Sequence, residues 1–86
     1  MSTNATRADR ADVALRAYAY AADSADEAQA ITDLVADIGH YCVAHELPYL
    51  DLLARGVSHW HLELAAPDSI DLMPEVSITI NESPHP

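Results

Sequence analysis

Fourteen acidic side chains face four arginines and no lysine in this 86-residue chain, so its formal charge of −10 opposes a phosphate backbone and excludes direct nucleic-acid binding. A lone cysteine, Cys42, excludes an intrachain disulfide and a thiolate-rich zinc site. The polar start over residues 1–12 predicts no secretory signal, and the apolar run 17–22 is far short of the roughly 20 residues of a membrane span. A soluble cytoplasmic protein of one domain is expected. A chain this small buries only about 60–65% of its unfolded surface, which makes a partner subunit a natural source of further core.

The first helix is predicted over about 7–22, where alanine dominates and loses little side-chain entropy on becoming helical. Leu15 and Tyr18 occupy one face and Val13 and Tyr20 the other, so the helix is expected to be contacted from both sides. Ser24 and Glu27 have the spacing of a capping box and mark the start of a second helix, which runs to about 45. Ile31, Leu34, Val35, Ile38, Tyr41 and Cys42 fall within about 120° of one another on its wheel and form the predicted core face. The break at Glu46-Leu47-Pro48 leads into a third helix over about 48–64, with Tyr49, Leu50, Leu53, Val57, Trp60 and Leu64 facing inward. The short connection predicts that helices two and three are antiparallel neighbours, with Trp60 packed at their centre against Ile38 and Tyr41. Gly39 and Gly56, both inside helices, are positions for close helix approach.

After Pro67 the apolar residues alternate with polar ones at 70–73 and 76–80, the period of a strand or hairpin. Residues 81–86 are expected to be disordered. The fold class is therefore mainly α, a three-helix domain over 1–66 with a C-terminal tail over 67–86 that carries a short strand or hairpin.

Asp33, Asp37 and His40 fall together on the second helix, opposite its apolar face. Carboxylates and imidazole at i, i+4 and i+7 can ligate zinc, manganese or iron, but a solvated polar face is the simpler expectation. His45 is placed to donate to carbonyls at the helix end. His59 and His61 flank Trp60 and diverge, so they do not chelate as a pair. Cys42, on the apolar face without a basic neighbour in sequence, behaves as a small hydrophobe. No catalytic residue, cofactor or metal is assigned. Leu52, Arg55, His59 and Leu62 share a face outside the third helix's core arc. With Val13 and Tyr20 they give more apolar surface than a three-helix core needs, which predicts a partner interface, with a homodimer expected.

The run Asp33-Leu34-Val35-Ala36-Asp37-Ile38-Gly39-His40-Tyr41-Cys42, followed by Tyr49, Leu53, Trp60 and His61, resembles short uncharacterised proteins of phages, plasmids and integrative elements. The resemblance covers residues 31–63 and brings no activity to any position. It implies an accessory factor or an inhibitor of a host system. Together these features predict a non-enzymatic protein–protein interaction module whose partner is basic or part of a nucleic-acid-binding defence complex. The alternative is a metal-dependent or nucleotide-handling helical enzyme using Asp33, Asp37 and His40.

Overall fold

The computed structural model describes residues 3–65 and 74–82 and contains three helices: α1 (Asn4–Ala22), α2 (Glu27–Ala44) and α3 (Tyr49–Ala65). Helix α1 starts three residues before the position expected from its alanine run, because Thr3 caps it: the Thr3 hydroxyl accepts from the amide of Thr6 at 3.1 Å. Asn4 and Arg7 then tie this first turn to the end of α3. The Asn4 amide donates to the Glu63 carbonyl at 2.9 Å, and Arg7 pairs with the Glu63 carboxylate at 2.9 Å. Asp23 closes α1 in the left-handed region with φ 53°, and the Ser24 amide bonds back to Ala19 at 3.1 Å.

The expected Ser24–Glu27 capping box does not form. Asp26 caps α2 instead, accepting from the Gln29 amide at 2.8 Å, and Ser24 donates to Asp33 at 3.2 Å. An aspartate at the N-cap position does the work that the box would share between two residues. Helix α2 ends in a Schellman motif: Leu47 N–H reaches the Cys42 carbonyl at 2.8 Å and Glu46 N–H the Val43 carbonyl at 3.3 Å. Glu46 takes the left-handed position of that motif, with φ 56°, where glycine is the usual occupant.

Helix α2 carries a neighbour on each flank. Tyr18 of α1 donates to Asp37 at 2.5 Å, and the half-buried Asp33 receives both Ser24 and Gln29, the latter at 2.7 Å. The polar stripe expected to face solvent is therefore the flank on which α1 docks. On the other flank Tyr49 of α3 lies against Gly39. A β-carbon built on Gly39 would stand 3.0 Å from the Tyr49 ring, and the Tyr49 hydroxyl donates to the Val35 carbonyl at 2.5 Å. Both contacts depend on a polar tip or on a missing side chain, so neither requires the apolar face between them to be covered.

Only small side chains are fully withdrawn from water among the described residues: Ala30, Cys42, Ala54 and Ser58. Trp60, expected at the centre of the α2–α3 packing, is 57% exposed, and Tyr41 is 59% exposed. The helices meet around Gly39 and Tyr49, close to their connection, and the packing does not extend to Trp60, three turns further along α3.

The predicted strand at 76–80 is absent: residues 74–82 have no regular secondary structure, and 70–73 lie outside the described residues. A strand needs a ladder partner, and no backbone hydrogen bond joins 76–80 to the described chain. The alternation has a different use. Pro74, Val76 and Ile78 are half-buried while Glu75, Ser77 and Thr79 are exposed, and the segment lies beside Leu50, Ala54 and Arg55 of α3. Ser58, 5% exposed, anchors it by donating to the Pro74 carbonyl at 2.5 Å.

Candidate interaction surface

The apolar faces of α2 and α3 meet at one end and stay open beyond it. Val35, Ile38 and Cys42 from α2, with Tyr49, Leu52, Leu53, Gly56 and Val57 from α3, line a groove of about 320 Å³, and none of the described residues that line it is charged. Helical periodicity continues the α3 wall past the groove through Trp60 and Leu64, whereas Ile31 of α2 lines a second hollow with Ala8, Ala11 and Leu15 of α1. Trp60 and Leu64 are each 57% exposed, and Val35 and Ile38 are 40% and 43% exposed. With large apolar side chains presenting on the order of 150–250 Å² each, the open surface of Val35, Ile38, Trp60 and Leu64 is roughly 400 Å². That is the size of the largest apolar patch on a typical monomer, about 300–600 Å², which is often a functional surface.

The residues expected to form an interface on the outer faces are not one surface. Val13 and Tyr20 project from α1 at 71% and 92% exposure, and Arg55 and His59 are exposed on α3. Leu52 departs from that set: half-buried, it lines the groove with Ile38 and Cys42. Leu62 is half-buried as well. A helical wheel drawn for an isolated α3 misassigns Leu52, because α2 and the segment 74–82 contact α3 on different sides and so widen its covered arc.

The candidate ligand residues have other roles. Asp37 holds the Tyr18 phenol, and that hydrogen bond, aided by desolvation and by the negative charges of Asp37 and Asp33, pushes the Tyr18 pKa up to about 12. Asp33 holds Ser24 and Gln29. His40 is exposed. Among the described residues no group of three histidine, cysteine or carboxylate side chains is arranged to hold a metal ion. His45 caps α2 through its backbone, and its ring stacks on Tyr41 with centroids 4.2 Å apart rather than reaching the terminal carbonyls. His61 lies beside Trp60, centroids 6.4 Å apart. Cys42, 3% exposed, is enclosed at the base of the groove as a small apolar group.

Among the described residues no helix is long and apolar enough to cross a membrane. Comparison with protein families, curated proteins and solved structures gives no match, so the resemblance over residues 31–63 supplies no family assignment and the geometry alone carries the functional reading.

Proposed function

We propose that this chain is a non-catalytic protein–protein interaction module whose working surface is the open apolar cleft between α2 and α3. One observation carries the reading: Val35, Ile38, Trp60 and Leu64, which sequence periodicity assigns to a core, remain 40–57% exposed. Leaving them in water forgoes roughly 25 cal/mol per Å² of apolar surface, a cost that association recovers. The groups that could do chemistry support binding over catalysis, since Asp33 and Asp37 brace α1 and Cys42 is enclosed. The described acidic side chains do not line the groove, and a net charge of −10 repels nucleic acid and favours basic partners.

A photo-crosslinking phenylalanine analogue placed at Trp60 and, separately, at Tyr20 tests this in cells expressing the full chain. Crosslinked species from position 60 and few from position 20 are expected, although Tyr20 is the more exposed side chain. Crosslinking from Tyr20 with none from Trp60 would move the working surface to α1 and end the proposal.

A further inference from the structure

We propose that the cleft is filled by a second copy of this chain, with the two α3 helices crossing antiparallel so that Trp60 of each copy lies over Gly56 of the other. This rests on the cleft being the working surface and commits it to one occupant.

Gly56 is the first support. It sits in the third turn of α3, where glycine is unfavourable relative to alanine, and its φ is not positive, so the backbone does not require it. No described residue requires it either. Among the described residues a β-carbon at Gly56 would meet no atom within 4 Å, whereas one at Gly39 would meet the Tyr49 ring at 3.0 Å. A bare backbone thus lines an open apolar groove, with no contact from the described residues to account for it. Close approach of an outside group accounts for it.

The spacing identifies that group. Gly56 and Trp60 are one turn apart on the same face of α3, a hollow followed by a large exposed ring. A two-fold axis crossing α3 midway between them places each ring over the other copy's glycine, and no other register pairs both at once. The surface is therefore self-complementary, as an interface between identical chains must be.

Charge and area agree with a second copy. Two chains of −10 each repel through their acidic faces, and the groove, which no described charged side chain lines, is a place where they can meet without pairing carboxylates. Asp51 and Arg55 lie on the opposite side of α3, against the segment 76–79. The open surface of roughly 400 Å² supplies about half of the ~800 Å² per partner of a standard interface, the size of a weaker, concentration-dependent association.

Sedimentation equilibrium of the purified full chain tests the proposal, with far-UV circular dichroism as the check on folding. The wild type is expected to be a dimer. Trp60→Ala and Gly56→Leu should each weaken it by about tenfold or more with helicity retained, since one empties the hollow and the other fills it. Gly56→Ala guards against a misfolded leucine variant: one methyl enters empty space in the single chain, so helicity should hold or rise while dimerisation weakens. Tyr20→Ala should leave the dimer unchanged. A wild type that is monomeric throughout the accessible concentration range overturns the second copy, as does a dimer indifferent to both Gly56 and Trp60. If that monomer still crosslinks to other proteins from position 60, the cleft remains an interaction surface with a different occupant; if it does not, both proposals fall.

Discussion

Replacing Gly39 by alanine isolates the contact that joins α2 to α3. In an open helix interior the change stabilises by about 1 kcal/mol, because alanine loses less backbone entropy. At Gly39 the new methyl would stand 3.0 Å from Tyr49 Cε2 and 3.3 Å from Cδ2, so the ring must move. Moving it breaks the hydrogen bond from the Tyr49 hydroxyl to the Val35 carbonyl, worth about 1 kcal/mol, and adds an overpacking cost of about 1–3 kcal/mol. Gly39→Ala is therefore expected to destabilise by about 1–3 kcal/mol. In a Tyr49→Ala background the obstruction is gone and the same substitution should stabilise by about 1 kcal/mol, which makes the coupling about 2–4 kcal/mol. Urea denaturation of the four proteins, followed by circular dichroism at one fixed concentration, reads this directly. A stabilising Gly39→Ala in the wild-type background, or a coupling near zero, would refute the placement of Tyr49 on Gly39.

The Tyr18–Asp37 bond predicts a distinct alkaline titration. Because the folded pKa of Tyr18 is raised, to about 12 from 10.0, its contribution to stability is complete below pH 10 and is lost as pH rises through about 12. Ultraviolet titration should resolve one late tyrosine, and Asp37→Asn should bring it back towards the ordinary range; four tyrosines titrating together in the native protein would contradict the bond. Glu46→Gly should stabilise by about 1 kcal/mol by relieving the left-handed backbone at the end of α2, and a loss of stability would show that the Glu46 side chain contributes more than its backbone costs. Ser58→Ala removes the donor to the Pro74 carbonyl, with an expected cost of about 1 kcal/mol and faster proteolysis within 74–82. Unchanged proteolysis would mean that Val76 and Ile78 hold that segment without it.

The sequence makes the helices legible and their contacts much less so. Period-3.6 patterning and the Pro48 break locate α2 and α3 to within a few residues, because both signals are local. Caps are local as well, yet Asp26 and Ser24 compete for the same helix end, and the spacing to Glu27 favours the residue that in fact bonds Asp33. Facing is a different problem. An apolar arc on α2 shows which side can be buried, but α1 docks on the Asp33–Asp37 side through Tyr18 and Ser24, a choice made by hydrogen bonds nineteen and nine residues apart. The alternation at 76–80 likewise marks Val76 and Ile78 as inward-pointing, though not Ile80, which is 71% exposed, and does not reveal that the surface beneath is α3 rather than a second strand. Gly39 and Gly56 look alike in sequence, and only their surroundings separate a glycine that Tyr49 requires from one that no described residue requires.

That difference bears on how such a chain stays folded. Its described interior consists of Ala30, Cys42, Ala54 and Ser58, which bury little area, and its long-range order leans on hydrogen bonds and one ion pair: Tyr18 to Asp37, Tyr49 to Val35, Ser58 to Pro74 and Arg7 to Glu63. Such bonds fix geometry but contribute only about 0.5–1.5 kcal/mol each against the conformational entropy of 86 residues. The larger reserve is the apolar surface of the cleft, which yields its free energy only when covered. Folding and association then draw on the same residues, and the melting temperature of the chain should rise with its concentration, as mass action requires of a protein whose partner binds only the folded state. A melting temperature independent of concentration in the dimeric range would separate the two processes and place the missing stability inside the single chain.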